Sequence, residues 1–310
     1  MSLPPRALRL TLWSIVLAAG GYLALSLWAG WRDVAAAVTR VGAPVLTGIL
    51  ALSLANYLLR FVRWQIYLDR LGHPVPWRDS LRIYVGGFAL TTTPGKMGEL
   101  MRGVLLKPHG VPLTESTAAF FSERAADLLV ILLLSSAVFW LYPNGAPLVA
   151  GLATFVVGCI IAVQFPGWIR RVATWAAHHP GSRACRGIGH LSALVLGFSR
   201  CFHWTTLGTA VALGLLAWGA EAIAFHWLLD ALGTPLHWST AIFIYAFAML
   251  VGGASLLPGG LGGSEAVMVM LLLANGLPEA TAVSATLLCR LATLWFAVAL
   301  GAIFLARGRP

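Results

Sequence analysis

The sequence predicts an all-α, polytopic helical bundle of the inner membrane, and three observations carry that prediction. Of the 310 residues, 59% are hydrophobic and only 10% are charged, against roughly 25% charged in ordinary soluble domains. The apolar residues gather into runs of about 20, the length a helix needs to cross the hydrocarbon core. The charge is lopsided, with 21 Lys and Arg against 11 Asp and Glu, and it collects beside those runs as it does in membrane proteins. A mean hydropathy of +0.82 leaves too few polar residues to coat a soluble fold. A soluble enzyme, a nucleic-acid-binding module and a disordered scaffold are excluded, and no nucleic-acid partner is expected.

Taken in order, apolar runs over 10–29, 44–59, 117–141, 147–166, 204–229 and 280–306 read as six full crossings. The first is too long for the apolar core of a cleaved signal peptide. Two further apolar regions, 81–107 and 239–275, are interrupted by Pro94, Gly95, Lys96 and Gly98 and by Pro258, Gly259, Gly260, Gly262 and Gly263. These read as broken, re-entrant helical hairpins, although 239–257 is long enough to span alone. The whole of 1–310 reads as one integral membrane domain. It divides into an N-terminal span (1–43), repeat A (44–141), a span with an interfacial linker (142–203) and repeat B (204–306).

Basic residues set the direction. Fourteen of the 21, from Arg6 and Arg9 through Arg60, Arg63, Arg70, Arg78 and Arg82 to Arg170, Arg171 and Arg307, fall on flanks assigned to the cytoplasm. Both termini are then cytoplasmic, and the Arg-rich linker 167–203 stays inside only if 81–107 enters and leaves on one side. That linker, with Trp168 and Trp175, reads as an amphipathic stretch touching anionic lipid. Its scattered His and Cys fit no common metal-ligand spacing.

The two interrupted regions copy each other. Glu99 precedes Arg124 by 25 positions, and Glu265 precedes Arg290 by 25, with Gly110 and Pro112 answering Gly276 and Pro278 between them. Upstream, Asp69, Gly72, Pro74, Trp77 and Tyr84 recur as Asp230, Gly233, Pro235, Trp238 and Tyr245 at an offset of 161, which grows to 166 past the break. Eight basic residues lie in Arg60–Lys107 and none in 221–276, so the copies take opposite orientations. Inverted repeats with paired broken helices mark secondary transporters, whose substrate site lies between the repeats.

Each break brings helix ends, with free N–H groups and a favourable dipole for anions, toward the membrane interior. Lys96, Glu99 and Arg102 follow the first break, Arg124 and Asp127 share a face of the next span, and Glu265 and Arg290 are the second set. Charges at membrane depth survive when paired or when lining a wet cavity. These seven leave one net positive charge, suited to an anionic head group, and a salt bridge clamping two helices is the alternative for each pair. Ser264 is expected to cap the helix after the second break, with Glu265 in its first turn. Glu115 and Glu123 are expected at the cytoplasmic end in solvent. For Glu221 and His226 a proton relay is conceivable, hydrogen-bonded packing the commoner role.

The run Thr93-Pro94-Gly95-Lys96-Met97-Gly98-Glu99-Leu100-Met101-Arg102, then Glu123-Arg124-Ala125-Ala126-Asp127, then Leu257-Pro258-Gly259-Gly260-Leu261-Gly262-Gly263-Ser264-Glu265 and Cys289-Arg290-Leu291 resembles the transmembrane flippase domain of lysylphosphatidylglycerol synthases and its stand-alone relatives. The resemblance spans roughly residues 10–305. It implies a polar lipid carried between leaflets, with those Glu and Arg positions lining its path. The synthases carry a soluble aminoacyl-transferase domain after the membrane part, whereas this sequence stops at Pro310, so attachment of lysine is not expected of it. No phosphate loop occurs and no cofactor is expected. Two other readings stand beside transport. One is a membrane-embedded lipid-linked transferase, which lacks here the usual clustered carboxylates. The other is a non-transporting partner of a lipid-modifying enzyme.

Overall fold

The computed structural model describes residues 20, 31–93, 98–137, 146–178, 183–234, 236–255 and 257–307. The expected span 10–29 apart from Gly20, and Pro94, Gly95 and Lys96 of the first break, lie outside them. Every regular element among the described residues is helical. Helix α1 (Trp31–Arg70) is bent at Gly42, whose φ of 75° interrupts it just before Pro44. After it come α2 (Trp77–Gly87), the short α3 (Met101–Leu106), α4 (Leu113–Leu134) and α5 (Ala146–Gln164). Helices α6 (Gly167–Ala177) and α7 (Arg183–Cys201) form the linker, followed by α8 (Trp204–Ala231) and α9 (Trp238–Ala254). The chain ends with α10 (Gly263–Ala274), α11 (Glu279–Arg290), a π-helical turn (Leu291–Trp295) and α12 (Phe296–Arg307).

Among the described residues three stretches are long and apolar enough to cross a membrane, Arg32–Arg70, Trp204–Ala231 and Glu279–Ala306, and α5 with α6 make a fourth candidate bent by 65°. Helix α4 has 22 residues, about 33 Å of helix, but carries too many charges to pass on apolarity. The linker has the expected two-faced build. Ile169 and Ala176 are buried, while Trp168 and Trp175 are each 54% exposed, and α6 packs on α7 and α7 on α4.

The repeat is written into the backbone. At Gly72 the N–H donates to Asp69 O and the next N–H to Leu68 O; at Gly233 the same two bonds run to Asp230 O and Leu229 O. Both glycines have positive φ, 85° and 77°, so each long helix ends in a left-handed cap that favours glycine. Trp77 and Trp238 then open the next helices, and Pro112 and Pro278 stand at the N-caps of α4 and α11.

Helices α1 and α8, equivalent under the 161 offset, pack along each other and run antiparallel. Arg40 donates to Leu232 O, Gly48 lies under the Trp227 ring, Arg60 stacks 5.5 Å over Trp218, and Arg63 sits beside Gly214. One number climbs as the other falls. Equivalent helices that meet antiparallel are related by rotation about an axis across the bundle, which inverts one copy relative to the other.

Candidate functional site

Between the two copies lies a cavity of about 430 Å³. Its polar wall draws on both. Thr91, Glu99, Arg124 and Asp127 come from the first, and Gly259, Gly260, Ser264 and Arg290 from the second. Tyr57 and Arg60 of α1, Trp218 and Glu221 of α8, and Tyr245 of α9 complete it, and Phe88, Leu128, Ile131 and Leu152 add apolar lining.

The first copy builds a dense ionic cluster. Arg102, 1% exposed, pairs with Glu99 one turn before it and donates to Glu123 Oε2 at 3.0 Å. Its guanidinium also lies 4.5 Å from the Tyr84 ring centroid. Arg124 Nη2 reaches Glu123 Oε1 and Asp127 Oδ2, each at 3.1 Å, and Glu99 at 4.0 Å. Arg60 meets Glu123 at 3.1 Å and Asp127 at 3.3 Å, and Arg63 meets Asp127 Oδ1 at 2.5 Å. Neutral donors add to the set: Thr91 to Glu99 at 2.9 Å, Tyr84 to Glu123 at 2.6 Å and Trp218 to Asp127 at 3.0 Å.

The second copy is sparser. Arg290 Nε donates to Glu265 Oε1 and its Nη2 to Gly259 O, both at 2.7 Å, so one guanidinium ties α11 to the α10 carboxylate and to the turn before it. Gly259, Gly260 and Gly262 all have positive φ, 62°, 69° and 85°, a run that only glycine takes at no steric cost. Tyr245 donates to Glu221 Oε2 at 2.5 Å.

The sequence-predicted residues fall into three groups. Glu99, Arg124, Asp127 and Arg290 line the cavity, Arg102 and Glu265 are buried directly behind it, and Lys96 lies outside the described residues. Each expected Glu–Arg relation is realised as an ion pair, Glu99 with Arg102 and Arg124, and Glu265 with Arg290. Of the break residues, Gly98 donates its N–H to Thr93 Oγ1 at 2.7 Å; Pro258, Gly259 and Gly260 form a 3₁₀ turn, and Gly263 opens α10.

Four expectations are corrected. Glu123 is not solvated; it is fully buried and is the hub of the cluster. Glu115 is paired as well, with His73 at 2.5 Å and Arg200 at 2.7 Å. Arg60 and Arg63 are not flank charges, because α1 continues past the apolar run to Arg70 and places both, 7% and 0% exposed, inside the bundle. Arg70, Arg78 and Arg82 remain exposed at that end. Ser264 is not the cap of α10; Gly262 holds that position, and its N–H donates to Glu265 Oε2 at 2.7 Å. The first and third errors share a signal that spacing offered, since Arg60 and Arg63, and Glu123 and Asp127, are one helical turn apart on spans that meet.

With these residues added, the site balances five guanidinium groups against five carboxylates, but unevenly. Arg60, Arg63, Arg102 and Arg124 face three acids in the first copy; Arg290 faces Glu221 and Glu265 in the second. Among the described residues no three His, Cys, Asp or Glu are grouped to hold a metal. Four of the five carboxylates, Glu99, Glu123, Asp127 and Glu265, are paired with arginines of the protein itself.

The model of the lysylphosphatidylglycerol synthase TM region matches residues 11–301. The chain belongs to that family. Similar proteins include the UPF0104 membrane protein of Methanothermobacter thermautotrophicus, 29% identical over 91% of this chain and 89% of the relative. The UPF0104 membrane protein of Pyrococcus horikoshii is 22% identical over 93% of this chain and 94% of its own length. Both breaks and both Glu–Arg pairs lie within the matched residues.

Proposed function

We propose that the chain moves a polar lipid between the two leaflets, with the head group passing through the cavity between the repeats and the acyl chains remaining in the bilayer. One observation carries this reading: a cavity lined by both charged and apolar side chains drawn from the two inverted copies, the position at which such transporters bind their substrates. Guanidinium groups of Arg60, Arg124 and Arg290 offer a phosphate charge-assisted donors, and Glu99, Asp127 and Glu221 offer acceptors to an ammonium or hydroxyl. An anionic, aminoacylated or glycosylated head group satisfies both. Transport of this kind makes and breaks no covalent bond, so the chain is not an enzyme on this reading, and its partners are lipids and, where one supplies the cargo, a lipid-modifying enzyme. The cell location that goes with it is the cytoplasmic membrane, both termini inside, as the exposed Arg70, Arg78 and Arg82 favour.

The test is reconstitution in liposomes with phospholipids labelled on differing head groups, following how much label an impermeant quencher cannot reach. Wild type and Glu279→Gln, which alters an exposed residue at the start of α11, should move lipid in a head-group-dependent way. Glu99→Ala and Arg290→Ala should abolish it. A purified wild type that moves no lipid, or two variants that match it, overturns the proposal.

A further inference from the structure

One face of α1 carries polar side chains every three or four residues deep inside the bundle. Ser53, Asn56, Arg60, Arg63, Trp64 and Tyr67 are all between 0% and 7% exposed. Each has at least one buried polar atom that bonds to nothing: Ser53 Oγ, both polar atoms of Asn56, Nε of Arg60, Nε and Nη1 of Arg63, Trp64 Nε1 and Tyr67 Oη. From Ser53 to Tyr67 the stripe runs about 21 Å along the helix at 1.5 Å per residue, roughly two thirds of the hydrocarbon core. Arg60 also lines the cavity, so the stripe touches it midway. Thr206 of α8, buried with an unbonded hydroxyl, lies about one helical turn beyond Tyr67 in the antiparallel register of the two helices.

The fold does not require this polarity. At the 161 offset the equivalent positions on α8 are Gly214, Ala217, Glu221, Ala224, Phe225 and Leu228. All are buried too, so the same packing position is filled almost wholly by apolar groups in the second copy. Natural structures leave few buried polar atoms unpaired, and a dry stripe of six such residues would cost an amount comparable with the whole net stability of a folded chain.

We infer that the α1 stripe binds a file of ordered water running from the cavity toward the Tyr67 end of the bundle. The mixture of groups selects the ligand. Ser53, Asn56 and Tyr67 both donate and accept, whereas the arginine Nε–H and the indole N–H only donate. A cation would meet the arginine and indole N–H groups with no acceptor, and an anion would leave Asn56 Oδ1 unpaired, while water, with two to four partners, suits both. The file gives the ionic cluster a wet rear face. Arg60 and Arg63 are then solvated from behind while their carboxylate partners are in front, which lowers the penalty for exchanging a carboxylate for an incoming anion. The inference stands on the orphaned atoms and not on the lipid reading.

X-ray-generated hydroxyl radicals, which form from water on the spot, report it in the wild-type protein in nanodiscs. Normalised for intrinsic reactivity, Tyr67 and Trp64 should oxidise at least tenfold faster than the equally buried Phe225 and Phe243. In the Ser53→Ala/Asn56→Leu double variant, oxidation of Tyr67 should fall severalfold, with Phe225 and Phe243 unchanged. Tyr67 and Trp64 reacting no faster than those phenylalanines in wild type overturns the inference without recourse to any variant.

Discussion

Glu123 has no exposed surface and meets Arg60, Arg102 and Arg124 at 3.0–3.1 Å. Breaking such a set by removing one partner costs more than the set contributes when whole, because it strands buried charges. Glu123→Gln should therefore lower stability by about 3–5 kcal/mol, read as a large fall in melting temperature in detergent. Glu115→Gln, at a pairing whose carboxylate is 21% and whose arginine 49% exposed, should cost at most about 1 kcal/mol. Equal falls would show that the cluster is as hydrated as the surface. The same residues show how far sequence reasoning reaches. Glu99, Arg124, Glu265 and Arg290 are legible because they stand inside apolar runs and recur at fixed spacing, and Arg102 and Asp127 because each stands one helical turn from a member of that set. Arg60 and Arg63 sit just past the end of the run 44–59, and hydropathy alone cannot tell a charge that ends a span from one that is paired inside it; Glu123 lies near the start of the run 117–141 and has no acidic counterpart in the second copy, where Cys289 stands.

At the scale of elements, the turns were legible and the helix lengths were not. Glycine and proline act locally, so the matched Gly72 and Gly233, and Pro112 and Pro278, announced equivalent caps and helix starts. How far α1 extends depends on α4 and α8 supplying partners for its arginines, which no local signal records. The closure of the second hairpin is likewise a packing fact. A Cβ on Gly252 of α9 would run into the Ser264 hydroxyl of α10 and lie 3.2 Å from its backbone nitrogen, so the two helices meet there with no room for a side chain. Gly252→Ala should cost about 1–3 kcal/mol by overpacking, with Ser264→Gly in the same chain recovering part of the loss. Thermal melting of the single and double variants decides it, and a neutral Gly252→Ala would mean that α9 and α10 do not close at this point.

For the whole molecule, inversion makes a prediction that neither copy makes alone. Tyr57 on α1 donates to the Thr293 carbonyl in the π-helical turn of the second copy, and Trp218 on α8 donates to Asp127 in the first. Tyr57 and Trp218 are equivalent at the 161 offset, and Asp127 and Thr293 at 166. The two bonds are thus one latch drawn twice, each joining the long helix of one copy to a span of the other, and both beside the cavity. An axis across the bundle exchanges its two faces, so whichever mouth one latch holds closed, its equivalent holds the opposite one. Losing a hydrogen bond of about 1 kcal/mol moves a two-state balance about fivefold. Tyr57→Phe should raise access to the cavity from one side of the membrane, and Trp218→Phe from the other. A cysteine at Met249, which lines the cavity, in a chain stripped of Cys159, Cys185, Cys201 and Cys289, reports this when an impermeant thiol reagent is added inside or outside sealed vesicles. Opposite shifts identify the paired latches as the gates of alternating access. Shifts toward the same side, or none, would leave the two bonds as simple braces between the copies, whether or not the cavity carries lipid.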